Sequence, residues 1–314
     1  MQQHHDDTFH AGESLAQQKV GVRERMAELG PRVIRDSMPQ QHRDFFALLP
    51  WLLIGSTDAK GQPWASVVTG KPGFIAAPDE QHLLIQAHAR SSDPLRENLH
   101  IGASVGILGL QPHTRRRNRA NGIVTQLNDG NLAVLVQQSF GNCPKYIQAR
   151  EAKFLPNDAV QPEVEHLNHL DTAAIGLISA ADTFFIATAH PASIDKKAWQ
   201  LEAMEGIDVS HRGGKPGFIR VDGDSLLVPD YAGNFFFNTI GNLLLEPRAG
   251  LLFVDFSNSD LLQVAVRAEV IWDGPLLNEF AGAQRLLRLR VTELIRYRQA
   301  LPLNWSKVEM SPYL

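Results

Sequence analysis

The six residues GKPGFI occupy positions 70 to 75 and return at positions 214 to 219. A chain that carries one unit twice is built to fold that unit twice. The hexapeptide joins a lysine and a rigid Pro-Gly step to a Phe-Ile pair, the composition of a turn that feeds a strand. The same shift, from 70 to 214, sets Asn98-Leu99 on Asn242-Leu243, Val105-Gly106 on Ala249-Gly250 and Leu108 on Leu252. At nearly that offset Leu83-Leu84-Ile85 meets Leu226-Leu227-Val228, and a four-residue adjustment brings Arg119-Ala120 onto Arg267-Ala268. A looser match places 132–147 beside 286–301, where only the alternating pattern agrees.

Within each copy the apolar residues recur mostly at every second position, as in Leu287-Arg288-Leu289-Arg290-Val291, with apolar bursts at 250–256 and 182–189. These spacings predict strands. One short helix is expected per copy, over 93–99 and 238–246, opening on Asp93 and Asn238, which can cap free amide groups. The fold class is therefore mainly β: two tandem small barrels with peripheral helices. The expected boundaries are a helical segment over 1–44, a first barrel over 45–155, a linker and helix over 156–180, and a second barrel over 181–314. In the first segment Leu15, Val22, Met26 and Leu29 predict one amphipathic helix over 11–29, ending at Gly30-Pro31 and packed on the first barrel. The linker is expected to lead into a helix over 165–180. Two barrels in one chain can pair as a homodimer would, and a homodimer of the chain itself is a further expectation.

Composition narrows the function classes. A chain of 314 residues with 44% hydrophobic and 20% charged residues and a net charge of -4 reads as an ordinary soluble protein, with no general attraction to nucleic acid. The single cysteine, Cys143, leaves no intrachain disulfide and fits a reducing compartment, and the polar opening over 1–14 lacks the apolar stretch of a signal peptide. The longest apolar runs, such as 132–136, fall far short of the roughly 20 residues that cross a bilayer. The expected location is cytoplasmic, without a membrane or nucleic-acid partner.

Dinucleotide-binding, P-loop, zinc-protease and paired CxxC signatures are absent. Gly102 to Gly106 matches G-x-S-x-G but runs on into a strand, where a nucleophile elbow would turn into a helix. Glu163, Glu165, His166 and His169 have metal-like spacings, yet without a second ligand cluster they read as a solvated helix start, and no metal is expected. The basic run Arg115-Arg116-Arg117-Asn118-Arg119 could neutralise phosphate, although a charged turn into a strand is the favoured reading. In 210–218, Ser210, His211, Arg212 and Lys215 cluster with three glycines; this is either an anion-binding loop or a basic loop whose glycines serve turn geometry. Asp230, Asn234, Asn238 and Thr239 follow at a helix start, where free amides and the helix dipole favour phosphate. The first copy has Ser91, Ser92 and Asp93 there, so the second copy is the expected phosphate holder. Asn142, Cys143, Lys145 and Tyr146 form a set able to hydrogen-bond and stack on a planar ring. Cys143 has no base near it in sequence and reads as a structural or ring-contacting thiol.

Together the segments 9–13, 61–74, 141–148, 182–189, 208–218 and 230–253 resemble the flavin-nucleotide-binding proteins related to pyridoxamine 5'-phosphate oxidase, in their tandem split β-barrel branch. The resemblance implies FMN between two barrels, with Arg212 and residues 234–239 near its phosphate and residues 142–148 arriving from the first copy. It implies an oxidoreductase, with Lys145 as the positive charge that favours reduced, anionic flavin. Phe237-Asn238-Thr239 stands where the oxidase has its Ser-Arg-Lys phosphate cluster, so pyridoxamine phosphate is not an expected substrate. No cysteine cluster is present for iron and sulfur, so electrons would come from a separate reductase or reduced nicotinamide. No catalytic residue is assigned. The alternatives are a flavin-buffering protein without turnover and a haem-handling split barrel with His211 as axial ligand.

Overall fold

The computed structural model describes residues 8–155, 162–195 and 198–313; the opening residues 1–7 and the linker residues 156–161 therefore lie outside the described residues. Three helices come first, α1 (Ala11–Lys19), α2 (Arg23–Val33) and α3 (Gln40–Ala47). His10 caps α1: its Nδ1 accepts the Gly12 amide, while the Glu13 carboxyl accepts the His10 amide. The single helix expected over 11–29 is thus two, and α2 runs through Gly30-Pro31 to Val33. The break re-aims the second helix, so a stripe counted across it is not one face: Met26 is buried while Leu15 and Leu29 are exposed.

The first copy contains β1 (Trp51–Thr57), β2 (Pro63–Thr69), β3 (Ile75–Ala76), β4 (His82–Gln86), the helix α4 (Leu95–Asn98), β5 (Ser104–Gln111), β6 (Arg116–Asn128) and β7 (Asn131–Gly141). Its antiparallel sheet runs in the order β2-β1-β5-β6-β7-β4-β3. Next come β8 (Ala152–Phe154), β9 (Val164–Leu167) and α5 (Thr172–Ala180). The helix expected over 165–180 therefore begins only at Thr172, and the residues before it pair as a strand with the second sheet. The second copy contains β10 (Thr183–Ala189), α6 (Ala192–Asp195), β11 (Ile207–Gly213), β12 (Arg220–Asp222), β13 (Ser225–Asp230), α7 (Asn238–Leu245), β14 (Arg248–Val254), β15 (Leu261–Ile271), α8 (Pro275–Asn278) and β16 (Arg285–Tyr297). Its main path is β11-β10-β14-β15-β16-β13-β12, the first sheet's order repeated strand for strand. The last strand, β17 (Leu303–Trp305), returns to pair with β8. The described residues are mainly β, in two large antiparallel sheets and one of two strands.

The repeated hexapeptide does one job twice. The Phe74 amide donates to the Lys71 carbonyl and the Phe218 amide to the Lys215 carbonyl, each at 2.9 Å. Proline second and glycine third is the pattern of a type II turn, and Gly73 and Gly217 have the positive φ that it needs, 97° and 85°. Each of these glycines donates its amide to the end of the preceding helix, Gly73 to Ala47 and Gly217 to Ser179. The turn thus latches α3 and α5 to their sheets. A second pair also repeats: Asn98 donates to Ser56 Oγ at 3.0 Å, and Asn242 donates to Thr188 Oγ1 at 3.1 Å.

Side-chain alternation places the copies back to back. On β1, Leu52 and Ile54 enter the first copy's core while Trp51 and Leu53 enter a core shared between the copies. On β10, Phe184 and Ile186 face the second copy's core while Phe185 and Ala187 face the shared one. A strand buried on both faces has no polar alternation to show, which is why these segments read as apolar bursts. Pairing also corrects one sequence alignment. Leu108 pairs with Arg119 and its counterpart Leu252 pairs with Gln263, so Arg119 corresponds to Gln263; Arg267 instead pairs with Arg248. Both hairpins bulge at the same place, Asn121/Gly122 and Ala265/Val266, and the first copy bulges once more at Val124/Gln126.

Candidate functional site between the copies

At one edge of the shared interface a cavity of about 120 Å³ is lined from both copies. Arg117 and Arg119 are two apart on β6 and therefore project to one side, into the cavity. Arg116, just before them on the strand, points away, donating to the Gln41 carbonyl and lying over the Phe45 ring. The basic run is thus a strand with one face in the site, and the charged-turn reading is corrected for these two residues.

Arg119 ties the copies together. It is ion-paired with Asp208 and donates to Asn238 Oδ1 at 3.1 Å and Ser210 Oγ at 2.5 Å. Ser210 in turn donates to Asp208 at 3.1 Å and accepts from Thr239 Oγ1 at 2.9 Å. Arg117 donates to the Cys143 carbonyl at 2.8 Å and to His211 Nδ1 at 3.1 Å. Arg212 and Arg285 each hold one carboxylate oxygen of Asp230, Arg285 at 2.7 Å. With Lys145 at the rim, five cations stand against two carboxylates. Burial, then repulsion from Arg119 and Arg212, lowers the Arg117 guanidinium to about 9. An anion in the cavity would relieve that repulsion.

Unspent donors point the same way. The Nε groups of Arg117, Arg119, Arg212 and Arg285, His211 Nε2 and Asn142 Nδ2 are buried without a partner, and all six belong to cavity-lining residues. A buried donor without an acceptor costs about 1–3 kcal/mol, so such a concentration is the mark of a site made for an acceptor. His211 is held neutral by burial and the surrounding guanidiniums. Because Arg117 can only donate, Nδ1 accepts and the ring proton sits on Nε2. The neutral imidazole is therefore a hydrogen-bond donor through Nε2.

The helix start contributes differently from the expectation. Phe237, in a left-handed conformation with φ 64°, precedes α7 without a side-chain cap, so Asn238 is not the capping residue. Asn238 instead accepts from Arg119 and donates to Glu13 Oε1 at 2.6 Å. Asn238, Thr239 and Ile240, the uncapped first turn, line the cavity. Glu13 is buried behind them, and burial pushes its carboxyl up to about 8.

Residues 142–148 cross from the first copy onto the second. Gln148 donates to the Gly214 carbonyl at 3.2 Å, and the Tyr146 hydroxyl donates to the Ala232 carbonyl at 3.1 Å. The Tyr146 carbonyl lies where a β-carbon on residue 213 would stand, so the crossing requires Gly213. The Tyr146 and Tyr231 rings lie 5.5 Å apart and, with Phe218, separate the arginine cavity from an adjoining one of about 620 Å³. Lys215 lines this second cavity with Tyr313, so of the twelve residues expected at the site it alone stands outside the arginine cavity.

Of four further contributors, sequence reasoning ranked Arg117 and Arg119 below a charged-turn reading and missed Arg285 and Glu13. The spacing of Arg117 and Arg119 was a usable signal, because alternate residues of a strand share a face. Arg285 is joined to Asp230 only through pairing of β13 with β16, and Glu13 arrives through the packing of α1 on α7; no local pattern marks either. Of the other candidates, Ser104 begins strand β5 and Glu165 is ion-paired with Arg296 and Arg298. Among the described residues, no helix is long and apolar enough to cross a membrane.

No protein-family model matches the sequence, and no curated protein matches it. Solved structures similar to part of the chain include a proposed pyridoxamine 5'-phosphate oxidase of Lactobacillus delbrueckii, 18% identical over 41% of this chain and 94% of its own, with a TM-score of 0.30. A FAD-binding protein of Mesorhizobium loti is 11% identical over 43% and 97%, with a TM-score of 0.29. The haem storage protein HutZ of Vibrio cholerae is 12% identical over 46% and 99%, with a TM-score of 0.24.

Proposed function

We propose that the chain binds FMN between its two copies, with the phosphate in the arginine cavity, as the tandem split-barrel resemblance of its sequence implies. The observation that carries the reading is the set of six buried, unpartnered donors around a cationic cavity. Arg117, Arg119, Arg212, His211 and the first turn of α7 would hold the phosphate. The tyrosine pair and the larger cavity beyond it supply room and stacking surface for a planar ring. A compact anion joined to a large aromatic group fits this pair of spaces. Ser210, Asn142, Asn234, Asp230 and Cys143 would complete the binding wall, and Lys145 and Lys215 would set positive charge near the ring.

Bound FMN would supply reversible electron transfer, which makes an oxidoreductase the leading functional class. The chain's own part is to orient the flavin and favour its anionic reduced form through the surrounding cations. A separate reductase or NAD(P)H would provide electrons.

Absorption and mass spectrometry of the purified protein, followed by parallel titration with FMN and riboflavin, test the reading. Tight FMN binding that weakens at least about a hundredfold without the phosphate is expected, from the loss of two or more charge-assisted hydrogen bonds. A colourless protein that takes up no FMN, or equal affinity for riboflavin, would overturn it. Turnover with NAD(P)H and an acceptor separates an enzyme from a flavin-buffering protein.

A further inference from the structure

The first copy has a cavity of about 490 Å³ in the corresponding place, and its walls have changed chemistry. Strand pairing sets Val68 opposite Leu52 as Arg212 is set opposite Phe184, so Val68 is the counterpart of Arg212. Leu95 and Arg96 on α4 stand where α7 has Thr239 and Ile240, by the Asn98 and Asn242 match. The interior is formed by Ile54, Val68, Ile85, Leu95, Leu99 and Leu127. No guanidinium is free inside: Arg90 is spent on the carbonyls of Val67 and Ala300 and on Asp93. Asp93, behind the wall, is buried and accepts from Ser66 at 2.6 Å. An interior with no free guanidinium offers a phosphate dianion no partner, while its apolar walls favour hydrocarbon. At the rim, Arg96 is exposed and has no partner among the described residues, and His88 faces Asp129 at 3.5 Å.

We propose that this cavity is a second ligand site, for an amphipathic carboxylate: a hydrocarbon body among the aliphatic side chains and an acid group outside, at Arg96. The duplication supplied a second pocket, and replacement of the phosphate-holding side chains turned it to a different class of ligand. The inference stands on the first copy's own residues and does not require that the arginine cavity bind FMN.

Fluorescence titration of the full chain with cis-parinarate, a polyene carboxylate, tests it. Saturable one-to-one binding is expected, displaced by decanoate and more weakly by decanol, because only the acid meets Arg96. Arg96→Glu, at an exposed position, should weaken decanoate about three- to tenfold, the range of a surface charge pair reversed in sign. Ala89→Trp, which fills the cavity, should weaken acid and alcohol alike. FMN should not displace the probe. Absence of saturable binding, equal displacement by decanol and decanoate, unchanged affinity in Arg96→Glu, or displacement by FMN would each overturn the proposal. Arg96→Glu keeps the test open should Ala89→Trp fail to fold.

Discussion

The copies meet at two related places, and a serine of each reaches across: Ser210 takes a hydrogen bond from Arg119, and Ser66 takes one from Gln263 at 3.0 Å. At the first place the surrounding side chains are Arg117, Arg212 and Thr239, and donors are left over. At the second their counterparts are Leu261, Val68 and Leu95, and the polar groups satisfy one another. Gln263 also donates to the Ala65 carbonyl at 2.9 Å, and its Oε1 lies 2.7 Å from the Tyr297 hydroxyl, whose phenol burial keeps neutral. Asp93 sits where the second copy has Phe237, and it accepts the Leu95 amide. One backbone arrangement therefore supports either a joint with buried donors left over or one whose polar groups satisfy one another. The difference lies in a few side chains on β2, β6, β11 and β15, because the sheet order is the same in both copies.

That contrast can be broken first by making the joint with spare donors resemble the satisfied one. Arg119→Gln combined with Asp208→Asn copies the uncharged pairing and leaves no buried carboxylate alone. It should reduce FMN affinity about a hundredfold or more, since two charge-assisted contacts disappear, while circular dichroism melting shows a folded protein. Retained affinity in the folded double variant would remove Arg119 from the site. Arg212→Ala should cost about 1–3 kcal/mol of FMN binding, read by the same titration. An unchanged dissociation constant would mean that Arg212 serves only Asp230.

A smaller effect concerns pH. Glu13 is raised by burial to about 8 and faces His10, Asp208, Arg119 and Asn238. His10 is lowered to about 3, by burial and by His190, and so stays neutral as Glu13 titrates. Glu13 is uncharged below its folded value and gains a negative charge as pH rises through it, which offsets the cationic excess near Arg119. FMN affinity should therefore fall severalfold between pH 7 and pH 9, and Glu13→Gln should remove the part of that fall centred near pH 8 and leave the later part, which Arg117, lowered to about 9, contributes. The folded value also lies above that of an unfolded carboxyl, so this group's stabilisation is full at low pH and is lost as pH rises through about 8. Least of all, Gln263→Ala should leave FMN affinity unchanged and lower stability by about 1–3 kcal/mol, because Ser66 and Tyr297 lose a buried partner. A change in flavin binding instead would show that the two places are coupled.

The sequence by itself determined the duplication, the mainly-β class and eleven of the residues that line the cavity. It could do so because turn chemistry and alternation are local: Pro72-Gly73 and Pro216-Gly217 set their turns whatever surrounds them. Helix ends were less legible. The apolar spacing from Leu15 to Leu29 runs across a helix break that Gly21 marks, with φ 70° and its amide on the Gln18 carbonyl, and Asn238 looks like a cap although its side chain is taken by Arg119 and Glu13. Only the tertiary structure decided which copy's arginines face which copy's serine. Strand pairing shows that the plain offset of the repeat, without the four-residue adjustment, sets Arg119 against Gln263. Arg285 and Glu13 reached the site through strand pairing and helix packing over long separations, and such contacts are fixed by the register of whole sheets rather than by neighbours in the chain.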